Sequence, residues 1–573
     1  VYPMKKRGFL LMLCVLFLTS VRGQSNNPVS IYEGERILSV HFEYSGRPAD
    51  TMRFAAIRRE VEDIFQIYPF SHFSRIQTDY YLSRIRNLPF VESTVLYVAA
   101  MPEGGVGLTV DVALTPSAEK TEMVPNIFRD IRSFPVIYSG NGSFFTFRFS
   151  GSEMVYTNDN AWFGQPEPLL AGNPQADGPA GKGYTGWIEG YGMGGVYGIV
   201  PVYRPWNLHV YAGWSYLAAF NAGRELFTDR SRFRGATEDA YAGIVGGRKW
   251  GSGHDYGYNI LYGRKAFVLG DGWLIINTSM SGYRRGASQL NPRNAARSLF
   301  QAGIRVDNYL LQVFRMRPDE LSLLDTRTVL EGINAEAGNS DRARVGASLL
   351  YVPRSDREYY LPDGTIHTRK GLWVYNLRLF GNPPADCPGP FYKAEFGYER
   401  NRHFKMRAYA WYAQLGWNFS RTYGAPSLSY RFAYFSGDDP STRAYERWDP
   451  LYTGGNGEQW AQGANMYKIL PNSNEMTHLV QLVFEPVRKW QTVAQFWAYV
   501  APQKNNLGGN PALSELRSRY YGTEIDLTVK YFHSARWYLH INTALTFPAN
   551  GARNSVPASK KWFSLLFYVR YSI

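Results

Sequence analysis

Lys561-Trp-Phe-Ser-Leu-Leu-Phe-Tyr-Val-Arg-Tyr-Ser-Ile573 ends the chain with Phe563, Leu565, Phe567, Val569, Tyr571 and Ile573 on one face of an extended segment, and Ser564, Arg570 and Ser572 mainly on the other. Side chains alternate between the two faces of a strand, so one face here is oily and the other polar. A transmembrane β-barrel seals its seam with such a strand, and a soluble sheet can carry one at its edge. Repetition upstream decides between the two.

From about Ser143 onward the chain is a series of strand-length segments separated by turns rich in Gly, Pro, Asn and Asp. Trp373, Tyr375, Leu377 and Leu379 alternate with Val374, Asn376 and Arg378. Tyr409, Trp411, Ala413, Leu415, Trp417 and Phe419 alternate with Ala408, Ala410, Tyr412, Gln414, Gly416 and Asn418. Between Glu524 and Tyr531, Ile525, Leu527, Val529 and Tyr531 oppose Glu524, Asp526, Thr528 and Lys530. A charged face against an apolar face, repeated many times, predicts a wet lumen inside an oily wall. About 16–18 segments reach the 9–11 residues that a tilted strand needs to span a bilayer.

The expected fold is therefore mainly β: a transmembrane antiparallel β-barrel over residues 143–573, preceded by a small α+β domain. Long connections such as Ser436 to Glu475 and Ala501 to Ser518 alternate with short ones such as Pro486-Val-Arg-Lys489. The alternation fails between Ser281 and Arg344, which predicts either a missed strand or a stretch folded into the pore. A barrel of this size is wide enough for a channel. Segments 158–183 and 437–475 are the candidates to plug it.

Composition agrees. Aromatics make up 16% of the 573 residues, with 42 Tyr, 34 Phe and 15 Trp, yet mean hydropathy is only −0.32. Tyr and Trp in quantity suit two headgroup girdles, and alternating faces cancel in a hydropathy average. After the N-terminus no apolar run approaches the roughly 20 residues of a spanning helix. The N-terminus itself reads as an export leader over residues 1–23. Lys5, Lys6 and Arg7 form a basic head, Phe9 to Leu18 an apolar stretch, and Val21-Arg22-Gly23 a cleavage site before Gln24. Leu13 is too large for a lipobox before Cys14, and Cys387 is the only other cysteine, so no disulfide framework or thiolate metal cluster is expected. Net charge is +14; Lys5, Lys6, Arg7 and Arg22 account for four of this, leaving +10 after the leader. Such an excess attracts anionic sugars or lipopolysaccharide phosphates, and export argues against nucleic acid as a partner.

Residues 24–116 follow a different pattern. Leu38, Val40, Phe42 and Tyr44 alternate as a strand; Phe54, Ile57, Val61, Ile64 and Phe65 recur at helical spacing; Leu82, Ile85 and Leu88 mark a second helix halted by Pro89. Strands Ser93 to Ala100 and Val106 to Leu114 follow, joined at Gly104-Gly105. This βααββ order resembles the polypeptide-transport-associated (POTRA) domain. The matching stretches are Arg36-Ile-Leu-Ser-Val-His-Phe42, Leu82-Ser-Arg-Ile-Arg-Asn-Leu-Pro-Phe-Val91 and Gly105-Val-Gly-Leu-Thr-Val-Asp-Val-Ala-Leu114. The resemblance implies a periplasmic domain with sheet edges open to an extended protein partner. A linker over 117–142 joins it to the barrel.

Two barrel segments resemble the alginate-export family of outer-membrane channels. They are Tyr262-Gly-Arg-Lys-Ala-Phe-Val-Leu-Gly-Asp-Gly-Trp-Leu274 and Tyr430-Arg-Phe-Ala-Tyr-Phe-Ser-Gly-Asp-Asp439, the latter followed by Arg447-Trp-Asp-Pro-Leu-Tyr452. The matched positions are Gly263, Arg264, Gly270, Asp271, Gly272, Gly437, Asp438 and Asp439. The resemblance implies passage of acidic polysaccharides or small organic solutes through a charged lumen. Asp438 and Asp439 also fit a solvated turn or a cation at a strand end. The alternative is the Omp85 superfamily, which joins POTRA domains to a barrel that assembles or secretes proteins. Its Arg-Gly-Phe/Tyr motif is not matched, since Arg234-Gly235-Ala236 and Arg285-Gly286-Ala287 lack the aromatic.

Strand parity points Arg378, Lys393, Arg431, Lys530 and Arg570 into the lumen, with Glu395, Glu399, Glu485, Glu524 and Asp526 between them. Inward cations would attract an anionic solute or glycan, and the carboxylates would divide the lumen into patches that bind weakly enough for release. No catalytic residue, metal site or cofactor is assigned. The chain has no G-x-S-x-G elbow, H-E-x-x-H helix or phosphate-binding glycine loop, and His540 on an inner face has no assignable serine or acidic partner.

Overall fold

The computed structural model describes residues 35–119 and 136–572, except residues 66, 68, 70–72, 74, 87, 89, 102–104, 141–142, 179, 204–207, 251–253, 340–342, 382–387, 420–421, 488 and 534–536. The leader, Cys14, Cys387, Pro89, Gly104 and residues 120–135 of the linker lie outside the described residues.

Near the N-terminus, β1 (Ile37–Ser45), α1 (Thr51–Ile64), α2 (Arg75–Arg86), β2 (Val91–Ala100) and β3 (Val106–Leu114) form a small α+β unit. Its sheet has the order β1-β3-β2, with β1 parallel and β2 antiparallel to the central β3. Val106, Leu108, Val110, Val112 and Leu114 are all buried, because β3 turns alternate side chains toward a core shared with Ile57, Val61 and Ile64 of α1 and Ile85 of α2.

Ser143–Asp159 opens a closed ring of 18 antiparallel strands, and Trp562–Ser572 closes it by pairing with that first strand from Phe563↔Asp159 to Ser572↔Ser150. Sheet edges are thereby abolished, as a bilayer requires. Long and short connections alternate around the ring, and the irregularity between Ser281 and Arg344 resolves. Strands Ser298–Val306, Tyr309–Arg317, Val329–Asn339 and Ala343–Arg354 keep strict up-down order. The preceding segment 265–297 folds inward, with its inner contacts to strand 232–250 and to segment 437–475.

Outward residues make the oily wall. Leu377, Leu379, Phe396, Trp411, Leu415, Ile525, Leu527, Leu565 and Phe567 are all exposed on the outer surface. Aromatic pairs ring the outside near both ends: Tyr351–Trp373 (4.5 Å) toward the long-connection end, and Trp490–Tyr531 (4.6 Å) and Trp537–Tyr571 (4.8 Å) toward the short-turn end. These are the two girdles that amphipathic rings form at membrane interfaces.

Candidate functional site: a lumen filled from one end

The interior is not an empty pipe. Segments 160–183, 265–297, 437–474 and 501–519 turn inward from the long-connection end and build two apolar clusters against the wall. In the first, Trp273 stacks on Trp448 (5.6 Å) and meets Tyr412 (5.7 Å) and Trp460 (6.3 Å). Gly397 makes this approach feasible, since a Cβ there would stand 2.5 Å from Cη2 of Trp448. In the second, Trp162 and Phe163 pack on Trp562, beside Tyr156, Trp187 and Trp497. The two loop segments also pair with each other: the Ile276 N–H donates to the Tyr452 carbonyl (2.9 Å), and the Tyr452 N–H to the Leu274 carbonyl (3.1 Å).

Wall carboxylates hold these loops down. The Glu524 carboxylate accepts from the backbone N–H groups of Ala464, Asn465 (3.0 Å) and Met466 (2.9 Å) and from the Thr546 hydroxyl (2.8 Å). Glu238 accepts from the N–H groups of Asn294 (2.6 Å) and Ala295 (2.7 Å), Glu189 from those of Gln289 (2.9 Å) and Leu290 (3.1 Å), and Glu399 from that of Asp449 (2.9 Å). Each pairs an ionisable wall group with loop amides that would otherwise be buried without acceptors. Between loops, Arg369 grips Asp449 through two bonds (2.7 and 2.6 Å). Burial alone would raise the Asp449 carboxyl, but the Arg369 charge overrides it and holds the group at about 2. Asp319 gathers Arg264, Arg285 (3.0 Å) and Arg293 (3.1 Å), and these arginines hold its carboxyl low against the opposing effect of burial.

The sequence-assigned lumen residues divide accordingly. Arg378, Glu395, Glu399, Arg431, Glu524 and Asp526 are buried, each below a tenth exposed. Arg378 donates to Ser348 (2.8 Å), Asn376 (3.0 Å), Asn334 and Glu336 (2.8 Å), with Gly270 of the inward segment above it. Arg431 lies between the rings of Trp460 (4.4 Å) and Trp497 (5.5 Å) and donates to the Gln459 carbonyl (3.1 Å). Arg378, Glu399, Arg431 and Glu524 are thus engaged by the loops and by neighbouring strands. Lys393, Lys530 and Arg570 are half-buried on inner faces, and Glu485 is exposed in a turn at the short-turn rim.

The motif positions lie at the roots of the loops. Gly263, at φ +140°, is the penultimate residue of strand His254–Arg264, and Arg264 at its end reaches Asp319. Gly270 and Gly272 flank Asp271, whose carboxylate accepts from the Tyr412 hydroxyl (2.8 Å) and the Trp460 indole N–H (3.3 Å). At Gly437 a Cβ would collide with Oδ1 of Asn474 at 1.9 Å. Asp438 accepts from the Glu446 N–H (2.7 Å), and Asp439 closes an exposed turn on Ser441. Among the described residues no cluster of His, Cys, Asp and Glu has the grouping of a metal site.

Several inward basic side chains lie against tyrosine rings. Arg148 lies over Tyr197 (4.9 Å) and Lys265 over Tyr241 (4.5 Å), and Tyr197 donates to Asp239 (2.7 Å). On the next two strands around the ring from that of Arg148, Arg570 lies over Tyr538 (5.3 Å), and His540 stacks on Tyr568 (4.6 Å). Sequence reasoning did not pick out Glu189, Glu238, Asp319 or the Arg369–Asp449 pair. The usable signal was the placing of Trp162, Trp273, Trp448 and Trp460 in segments otherwise composed like solvated loops.

A closed wall with a hydrocarbon-facing exterior and a polar inner passage defines an outer-membrane channel for a solute or polysaccharide. The alginate export family model matches residues 238–563, more than half of the chain, and the protein belongs to that family. Similar solved structures include OpdK of Pseudomonas aeruginosa with vanillate, 11% identical over 74% of this chain and 98% of that one, with a TM-score of 0.44. A BenF-like porin from Pseudomonas fluorescens Pf-5 is 9% identical over 75% of this chain and 98% of its own (TM-score 0.46). OccAB2 of Acinetobacter baumannii is 9% identical over 76% and 98% (TM-score 0.43). No curated protein matches the chain.

Proposed function

We propose that the protein is a passive conduit for a polar, anionic solute or glycan, with its short turns and residues 24–116 in the periplasm and its long connections outside. Barrels of this kind have short periplasmic turns and long outer loops, which supports that orientation. The reading rests on the cations of the barrel interior: Arg148, Lys393, Lys530 and Arg570 on inner strand faces and Lys265 at the root of an inward segment, several of them against tyrosine rings. Cations in a confined lumen with low-dielectric walls concentrate anions, and tyrosine rings offer faces on which a sugar or aromatic solute slides. The carboxylates pinned to loop amides set the resting barrier. The βααββ unit, fed from an exported chain, serves as a docking module for an extended periplasmic protein segment on the edges of β1 or β2.

The test is a planar bilayer under a potassium chloride gradient. The reading expects a reversal potential of anion-selective sign that moves toward zero in Arg570→Gln and Lys393→Gln. A cation-selective or sealed membrane rejects it. Deleting residues 24–116 and finding depleted outer-membrane proteins would favour the assembly-factor alternative.

A further inference from the structure

The connection 436–474 does more than cap the barrel. Its tip, Gly454-Gly-Asn-Gly-Glu-Gln459, is a tight turn closed by the Trp460 N–H on the Gly454 carbonyl (2.9 Å) and the Glu458 N–H on Oδ1 of Asn456 (2.9 Å). Gly454 and Gly455 have φ of +139° and +89°, which a side chain would resist. Three wall strands grip this turn. Arg431 donates to the Gln459 carbonyl (3.1 Å), Gln495 to the Gly457 carbonyl (3.0 Å), and Lys530 forms an ion pair with Glu458 at 2.5 Å. Lys530 lies six positions beyond Glu524 and two before the end of its strand at Phe532, so the Glu458 carboxylate meets a cation in the short-turn half of the lumen. Gln491 accepts a second bond from Lys530 (3.1 Å), and Tyr538, His540 and Tyr568 form an aromatic platform beside it with Arg570 over Tyr538.

We propose that Lys530 and this platform form a carboxylate-binding subsite, and that Glu458 is its resident occupant. The loop tip thus plugs the passage by imitating the carboxylate of the solute, and an entering carboxylate opens it by replacing Glu458 on Lys530. The proposal rests on the anionic-solute reading and adds a mechanism for opening. The Glu458 side chain is 38% exposed and belongs to neither apolar cluster, so exchange at Lys530 leaves both clusters in place. A half-exposed pair of this type contributes ~1 kcal/mol, about fivefold in an equilibrium.

The full chain in planar bilayers, with glucuronate as probe and glucose as neutral control, tests this. Glu458→Gln is expected to raise open probability and to lower the half-saturating glucuronate concentration about fivefold, with no response to glucose. Lys530→Gln is expected to raise basal opening while abolishing the glucuronate response. The charge swap Glu458→Lys with Lys530→Glu is expected to restore low basal opening without restoring glucuronate binding. Wild-type behaviour of Glu458→Gln in an anion-selective pore overturns the latch and leaves the anion reading intact. Cation selectivity of every variant overturns both. Heat-modifiable migration on gels confirms that each variant has folded as a barrel.

Discussion

Glu524→Ala separates a braced lumen from an open one. In the folded chain Glu524 is fully buried, and its two oxygens serve three backbone N–H groups of the loop, at Ala464, Asn465 and Met466, as well as the Thr546 hydroxyl. Removing the acceptor leaves those donors unsatisfied, each at about 1–3 kcal/mol if the loop stays docked. The loop instead detaches at lower cost, so the docked state should lose roughly 3 kcal/mol, a shift of over 100-fold in the docked-to-released ratio. Lys468, two residues beyond Met466, is a trypsin site enclosed by Tyr156, Tyr467 and Trp562. Cleavage of a transiently opened segment tracks its open population. Trypsin should therefore cut after Lys468 about 100-fold faster in Glu524→Ala than in wild type, while the strands stay intact. An unchanged rate refutes the assignment of Glu524 as a loop staple.

Three further outcomes follow from the same arrangement. Burial pushes the Lys468 ammonium down to about 7, against the opposing pull of the Glu524 and Asp526 charges. A released lysine titrates near ~10.4, so between these values the docked loop binds fewer protons and docking strengthens as pH rises. Open probability should fall from pH 7 to 9, and Lys468→Met should be flat across that window. Gly397→Leu should force Trp448 off the wall, destabilising the first apolar cluster by about 1–3 kcal/mol, visible as a lower melting point in tryptophan fluorescence. Asp449→Ala leaves the buried Arg369 uncompensated at a cost of about 3–5 kcal/mol. In wild type the Asp449 carboxylate, held at about 2 against an unfolded value near 3.9, contributes fully above pH 4 and is lost as pH falls through 2. Pepsin sensitivity of the loops should thus rise in Asp449→Ala at pH 4, where wild type stays protected.

The wall was legible because its pattern is local. Ile525, Leu527 and Val529 against Glu524, Asp526 and Lys530 carry the whole argument for a lipid face and an inner face within eight residues. What stands opposite an inner residue is not local. Glu524 meets Ala464 to Met466, and Glu238 meets Asn294 and Ala295, across separations of 56 to 60 residues that no alternation encodes. The apparent break in turn order near Ser281 arose for the same reason, since segment 265–297 has the length of several strands but spends it inside the barrel. Gly270, Asp271, Gly437 and Asp438 were legible as a motif, yet their work is to bend and seat the inward loops, which only the partners Tyr412, Trp460, Asn474 and Glu446 reveal.

The most direct test is the reversal potential of single pores formed by the purified full-length chain in a planar bilayer with a tenfold potassium chloride gradient. The account predicts discrete openings with an anion-selective sign. A detergent-free soluble protein, a silent bilayer or a cation-selective pore contradicts it.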